Sequence, residues 1–374
     1  MKILVLPRND TNPYQESLYQ EFRRQGVEVT YIGSATRSYT LNQLLLPIEL
    51  VVGRLAGARL VHVHWIFKFG LYGGDQYRVL RRVGQSWFAF WLWTLRVLGL
   101  RLVWTAHNVL PLQPVFADDL RARRDLVNNC DLVIAHSQTT IEELAALGMV
   151  PRSSAVIPHG PYRPAAQASA PSRPSDGDGP RRLLFFGSVR EYKGVEDLLA
   201  AFAALPPELD ARLTVAGQCD EMLRSVLAEL AGRSPRRVTL RLEHLPDDEL
   251  TRLLLEAHVA VLPFRRSTTS GTAVLALCHG RPIVIPDLPG LAELPAEALF
   301  RYDGTVQGLT SALTEAILAE DSRLARMSAA ADAYSAALSW HEIAEQTLNV
   351  MRALLSPGHG VAPELAARPL AARK

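Results

Sequence analysis

Short β-type runs alternate with longer helical patterns along the whole chain. Ile3 to Leu6 precedes a helical pattern over Glu16 to Gln25, Val27 to Ile32 precedes Leu41 to Leu55, and Leu60 to Val63 precedes a helix ending near Leu98. The series continues with Leu102 to Thr105, a helix near Leu120 to Asn128, Leu132 to Ala135, a helix over Thr139 to Leu147, and Ala155 to Ile157. Such alternation predicts βαβ units on a parallel sheet covered by helices on both faces, with the chemistry at the carboxyl ends of the strands. From Arg163 to Pro180 the pattern breaks into RPAAQASAPSRPSDGDGP, nearly free of large apolar residues, which reads as a linker. The alternation restarts with Leu183 to Phe186, Leu213 to Ala216, Val238 to Leu242, Val259 to Leu262 and Pro282 to Ile285.

The expected fold class is therefore α/β, with two doubly wound, Rossmann-like domains facing across a cleft. Residues 1–162 form the first domain, 163–180 a flexible linker and 181–340 the second. Residues 341–374 supply a closing helix near Ile343 to Leu355 that packs back on the first domain, then a frayed tail from Ser356.

Length and composition agree with this division. A chain of 374 residues exceeds one ordinary core and suggests two domains of roughly 150 to 200 residues. Hydrophobic residues at 48%, charged residues at 21% and a net charge of +2 describe a soluble globular protein and exclude a nucleic-acid-coating one. Cys130, Cys219 and Cys278 are too widely spaced for a disulfide framework or a zinc pattern, which fits a reducing cytoplasm. The first apolar run stops at Pro7 and Arg8, too short for a secretory h-region. Trp87 to Leu100 is the nearest approach to the ~18 apolar residues a spanning helix needs, and Arg96 interrupts it.

The stretch with the most chemistry is Arg181 to Gly194, RRLLFFGSVREYKG. An apolar run ends at Gly187, a polar loop carries Ser188, Arg190 and Lys193, and Gly194 opens a helical pattern. A strand, a turn and a helix start deliver two cations where backbone N–H groups already point outward, which suits a phosphate. A second helix start, RRSTTSGTAVLAL, offers Ser267, Thr268, Thr269, Ser270, Gly271 and Thr272. Hydroxyls and N–H groups there suit phosphate or sugar oxygens, although plain capping by Ser270 or Thr269 accounts for either hydroxyl alone. In the first half, His62 and His64 share one face of a strand, His64 at its functional rim and His62 toward the core. No third ligand accompanies them, so no metal is expected. His107 follows the strand Leu102 to Thr105 in the same way. Asn12-Pro13 would make a turn after the first strand, leaving Tyr14 or Gln15 to begin the next helix facing the cleft. Asp10, Glu16 and Asp75 are the acids near that rim.

The G-S-V-R-E-Y-K-G pattern followed by a Leu- and Ala-rich helix resembles the donor-diphosphate loop of GT-B glycosyltransferases of the GT4-like superfamily. The resemblance covers most of the chain, including TVAGQ at Thr214 to Gln218, Leu250 to Phe264, and Gly280 to Leu294. It implies that Arg190 and Lys193, on the loop of Gly187 and Ser188, neutralise the donor diphosphate, and the helix start at Ser270, Gly271 and Thr272 is read from its own chemistry as binding the same group. It further implies that His107 faces the donor sugar; His64, Asn12, Tyr14, Ser267 and Thr269 are the residues whose own positions put them on the sugar or acceptor side. Residues 1–162 become the acceptor domain and 181–340 the donor domain. One departure is plain: a pair of Glu that such enzymes usually carry would fall on Ser267 and Leu275, and neither is a carboxylate. The STTSG segment, N-P-Y-Q at Asn12 to Gln15, H-V-H-W at His62 to Trp65 and W-T-A-H-N-V at Trp104 to Val109 are similar to bacterial exopolysaccharide GDP-mannose:glycolipid β-mannosyltransferases.

The expected function is transfer of a hexose, here mannose from GDP-mannose as co-substrate, to a glycolipid or glycan acceptor. No metal or other cofactor is expected, and the missing Glu pair tilts the stereochemistry toward inversion, with His107 or one of the three acids as base. A nucleotide-sugar 2-epimerase and a non-catalytic sugar-nucleotide-binding subunit are the alternatives. Asp176-Gly177-Asp178 mimics a D-x-D metal site but falls in the linker. Trp87, Phe88, Phe90, Trp91 and Trp93 cover too wide an arc for one helix face. They read as core, with peripheral contact at the inner face of the cell membrane as the alternative, helped by Arg78, Arg81, Arg82, Arg96 and Arg101.

Overall fold

The computed structural model describes residues 1–8, 13–65, 77–111, 114–162, 179–234, 237–267 and 270–356. The chain divides into two compact units: Met1–Gly160 with Leu338–Lys374, and Pro161–Ala337. Asp10, Asn12, Asp75, Thr268, Thr269, the linker at 163–178 with its Asp176-Gly177-Asp178, and the tail at 357–374 lie outside the described residues.

Unit 1 holds a parallel sheet of β1 (Lys2–Leu6), β2 (Glu28–Tyr31), β3 (Leu60–Val63), β4 (Arg101–Ala106), β5 (Leu132–Ala135) and β6 (Ser154–Val156), in the order β2-β1-β3-β4-β5-β6. Crossovers run through α1 (Pro13–Arg24), α2 (Tyr39–Leu55), α3 (Arg78–Val97), α4 (Asp119–Asn129) and α5 (Gln138–Ala146). The central strands are apolar nearly throughout because helices cover both faces, and β3 and β5 are buried along their whole length. Helix starts are set locally, with Ser38, Asp118 and Ser137 accepting from the N–H groups of Leu41, Arg121 and Thr140. One core packs Leu46, Leu50, Phe88, Trp91 and Leu126 against one face of the sheet. Strand order reverses between β1 and β3, the place where doubly wound sheets open a binding crevice.

Unit 2 repeats the plan with β7 (Arg181–Phe186), β8 (Ala211–Ala216), β9 (Val238–Arg241), β10 (Val259–Val261), β11 (Ile283–Pro286) and β12 (Leu299–Tyr302), in the order β12-β11-β10-β7-β8-β9. Its helices are α6 (Val195–Ala203), α7 (Glu221–Gly232), α8 (Asp247–Glu256), α9 (Gly271–Cys278), α10 (Val306–Leu318) and α11 (Asp321–Ala336). Here the order reverses between β7 and β10, so the loops after these two strands flank the crevice. The last helix, α12 (Trp340–Leu355), belongs to unit 1, where Ile343, Ala344 and Leu348 join Tyr14 and Leu18 of α1 in the core on the sheet's other face.

The α/β, doubly wound expectation holds for both halves. One strand, β12, was not expected, since LFRY is a four-residue edge strand with a charged residue in it. The aromatic run of α3 splits by face: Phe88 and Trp91 are core, Trp87 is half-buried and donates to the Gln43 carbonyl at 3.0 Å, while Phe90 and Trp93 are exposed. No helix among the described residues is long and apolar enough to cross a membrane.

Candidate active site

In unit 2 the loop after β7 is built by close backbone approach. A Cβ at Gly217 would overlap the Gly187 carbonyl oxygen, and both glycines have positive φ, so β7 and β8 end side by side with no side chain between them. Thr272, in the first turn of α9, brings its Oγ1 to 3.7 Å from where a Cβ of Gly187 would stand. Gly194 has φ of 68°, and a Cβ there would overlap the Pro263 carbonyl oxygen, so the start of α6 seats directly on the loop after β10. The two helix starts predicted from sequence thus converge on one edge, at the switch point of the sheet. Ser270 caps α9 by accepting from the Ala273 N–H at 3.1 Å, and Gly271 leaves room for Tyr162 against it. Ser267 lies in the loop just before α9.

The two cations of this loop have different surroundings. The Arg190 guanidinium is paired with the Asp220 carboxylate, whose hydrogen bond raises the arginine's pKa above its ordinary value. Lys193 has no carboxylate partner among the described residues; its Nζ lies 4.1 Å from the centre of the Phe264 ring and 5.4 Å from that of Tyr192. Burial lowers its ammonium from the usual range to about 8. A desolvated cation facing aromatic rings and lacking a carboxylate is poised for an anion. Arg265 pins the arrangement, forking onto both Asp197 carboxylate oxygens at 2.7 and 2.9 Å and donating to the Glu191 carbonyl at 3.0 Å. Ser188 is exposed and shares a hydrogen bond with Tyr192. Sequence reasoning missed Asp220, Arg265 and Tyr192, because their partners are brought to them only by the fold.

In unit 1 the carboxyl rim carries a row of histidines. His64, His107 and His136 each stand one residue beyond the ends of the neighbouring strands β3, β4 and β5, and His159 follows β6. All are buried, and the Tyr14 ring packs edge-on or tilted against all four at centroid distances of 4.8 to 5.8 Å. Hydrogen bonds join His64, His107 and His136, while His159 Nδ1 bonds the Gly160 carbonyl at 2.8 Å, and the link from His136 to a backbone carbonyl fixes every tautomer of the joined three. His136 Nδ1 lies 2.9 Å from the Ile157 carbonyl and must donate to it, so its Nε2 accepts from His107 Nδ1 at 3.3 Å. His107 Nε2 then accepts from His64 Nδ1 at 3.1 Å, and His64 Nε2 accepts from the Tyr19 hydroxyl at 2.6 Å. The Tyr19 oxygen accepts from His62 Nδ1 at 2.8 Å, and His62 Nε2 accepts from Thr105 Oγ1 at 2.7 Å. Each member of the chain is neutral and every bond points the same way. Burial lowers all five histidines, with His62 and His159 at about 3 and His136 at about 4.

This geometry corrects the reading of two residues. His64 and His107 sit at the rim as expected, but both ring nitrogens of each are bonded inside the chain. His107 as arranged offers no nitrogen to an acceptor hydroxyl and is a rim contact rather than a free base. Tyr14 is buried beneath the row, not facing solvent. His136 and His159 were missed, although LVIAH repeats the apolar-run-then-His signature of LVWTAH. Among the described residues no group of His, Cys, Asp or Glu is arranged to hold a metal ion.

Two doubly wound units, one with an anion-ready loop at its switch point, have the architecture of the GT-B fold. A family model described as glycosyltransferase family 4 matches residues 14–161, and one described as glycosyl transferases group 1 matches residues 180–319. The chain belongs to these glycosyltransferases. It is 27% identical over 303 residues, covering 80% of this chain and 77% of the other, to the GDP-mannose:glycolipid 4-β-D-mannosyltransferase of Xanthomonas campestris pv. campestris. It is 27% identical over 71% of its length to the D-inositol 3-phosphate glycosyltransferase of Thermobispora bispora, covering 68% of that protein. Among solved structures, sucrose-phosphate synthase from Thermosynechococcus elongatus superposes with a TM-score of 0.69 at 19% identity, covering 95% of this chain and 98% of that one. HepE from Anabaena in complex with UDP superposes at 0.67 and 18% identity, covering 94% and 100%.

Proposed function

We propose that the protein transfers a mannosyl group from GDP-mannose to a lipid-linked glycan, without a metal ion. The observation that carries this reading is the unit 2 loop, where Lys193 faces two aromatic rings and, among the described residues, no carboxylate, beside the starts of α6 and α9. In it the donor diphosphate lies against Gly187, Ser188, Lys193 and the N–H groups of Gly271 and Thr272, with Ser267 and Thr269 toward the sugar. Arg190 reaches the same anion while sharing its charge with Asp220. As the glycosidic bond to the phosphate breaks, negative charge grows on the departing diphosphate, and these fixed donors stabilise it with no reorganisation. The sugar and acceptor side comprises His64, His107 and Asn12, with Tyr14 supporting the histidines from below. The proton of the attacking hydroxyl goes to one of Asp10, Glu16 and Asp75, of which Glu16 is described and exposed in the first turn of α1. The identity of the sugar and acceptor is supported by the mannosyltransferase relative, and that of a nucleotide donor by the UDP complex of HepE. In this reading the reaction runs in the cytoplasm, at the inner face of the cell membrane.

The test offers a panel of nucleotide sugars with a short glycolipid acceptor and follows product by mass. Mannose transfer from GDP-mannose at a rate well above the other donors is expected. Exchange of solvent deuterium into the sugar without transfer would instead mark an epimerase, and tight donor binding with neither transfer nor hydrolysis a binding subunit.

A further inference from the structure

Most of the large apolar side chains exposed among the described residues gather on two neighbouring helices of unit 1. On α2, Leu41, Leu44, Ile48, Val52 and Leu55 recur at helical spacing and are 44 to 83% exposed, while Leu46 and Leu50 on the opposite side are fully buried. On α3, Val79, Val83, Phe90, Trp93 and Val97 form a second row, 41 to 67% exposed, opposite Phe88, Trp91 and Leu95 in the core. The helices are tied together near both ends, by Trp87 Nε1 donating to the Gln43 carbonyl and by Arg54 Nε donating to the Leu98 carbonyl, each at 3.0 Å. The two rows therefore belong to one layer. Soluble surfaces seldom gather so much apolar area in one place without a partner.

The charge on this layer is predominantly positive. α3 carries Arg78, Arg81, Arg82 and Arg96 and no acid. The single carboxylate of α2, Glu49, accepts from the Gly33 N–H at 2.7 Å. Beyond the last turn of α3, a cavity of about 340 Å³ adds Arg101 and Arg152 to Arg96, and its one acid, Asp131, is bonded by Arg101 at 2.7 Å. A second copy of the chain docking symmetrically here would set arginines against arginines. An anionic lipid surface meets the arginines with phosphates and the apolar rows with acyl chains, while helices of 17 and 20 residues that cannot span lie in its plane.

We infer that the α2–α3 layer docks unit 1 onto an anionic phospholipid surface, with Ile48, Val52 and Trp93 entering the acyl boundary and Arg78, Arg82 and Arg96 at the headgroups. This deepens the reading of a lipid-linked acceptor by naming the surface that would bring the protein to it. Vesicle binding is scored without donor or acceptor, so failure of the docking and failure of the transferase reading are separate results.

The full chain is floated with vesicles of equimolar phosphatidylcholine and phosphatidylglycerol, and with phosphatidylcholine alone. Flotation with the anionic vesicles and its loss at high salt are expected, each arginine contributing roughly fivefold to partitioning. Ile48→Ser with Trp93→Ser should weaken flotation at least about tenfold, as should Arg78→Glu with Arg82→Glu; both pairs are exposed, and an unchanged melting midpoint confirms that they fold. Met222→Ser, at an 89% exposed site in unit 2, should float like the parent. A parent protein that stays at the bottom of the gradient overturns the inference. So does flotation unchanged in both pairs, or a dimer in sedimentation that Ile48→Ser dissociates.

Discussion

Lys193→Ala should lower glycosyl transfer by about two to three orders of magnitude while leaving the melting midpoint unchanged or slightly raised. The size follows from removing one pre-aimed donor to a departing anion, worth on the order of 3–4 kcal/mol in a dry site. The direction of the stability effect follows from the ring contacts. An ammonium whose pKa burial has dropped to about 8, with no carboxylate beside it among the described residues, is held at some cost in the free protein. Arg190→Ala should cost less than Lys193→Ala, because Arg190 already spends part of its charge on Asp220. Lys193→Arg should recover little, since the fork of a guanidinium does not fit where a single ammonium lies over Phe264. Turnover in Lys193→Ala within a few-fold of the parent would remove the diphosphate from this loop.

Acid should unfold unit 1 well above the pH at which carboxylates protonate. His62, His136 and His159 are held neutral to about 3 or 4 in the folded chain, against about 6.5 when unfolded. The unfolded state therefore binds more protons throughout that window, so stability is full above about pH 6.5 and falls as pH drops toward 4. Each histidine contributes about 1.4 kcal/mol per pH unit there. Three together approach roughly 4 kcal/mol per unit, enough to exhaust an ordinary domain's margin near pH 5. The chain of hydrogen bonds sharpens the effect, since a proton added to His107 Nε2 would face the N–H of His64. All six tryptophans lie in unit 1, so tryptophan fluorescence reads its unfolding alone. A denaturant midpoint that stays level from pH 7 to pH 5 would contradict this.

Much of the fold is written in local periodicity. β3 and β5 appear with the bounds that their apolar runs suggest, because buried parallel strands need only be continuously apolar. β12 escaped because a short edge strand has little to distinguish it from a loop. α2 is apolar on more than one side, and Leu46 and Leu50 are buried while Ile48 and Val52 are exposed, a division that the helical pattern alone does not give. In the site, Gly187, Lys193 and Gly194 were legible since a strand, a turn and a helix start follow one another in sequence. The pairing of Arg190 with Asp220, the Arg265 clamp and the histidine row were not, because each joins strand ends that only the parallel sheet brings together. His107 illustrates the limit: its position at the rim could be read from one strand, while its bonds depend on the two beside it.

The most direct measurement of the diphosphate site is calorimetric titration with GDP at pH 7 and pH 9, on the parent and on Lys193→Ala. Diphosphate binding should lift the Lys193 pKa above its free value of about 8, so the affinity of the parent is full at pH 7 and weaker at pH 9, by up to roughly tenfold. Lys193→Ala should bind weakly and lose most of that pH dependence. Parent and variant binding GDP equally at both pH values would contradict a diphosphate held between Gly187, Lys193 and the start of α9.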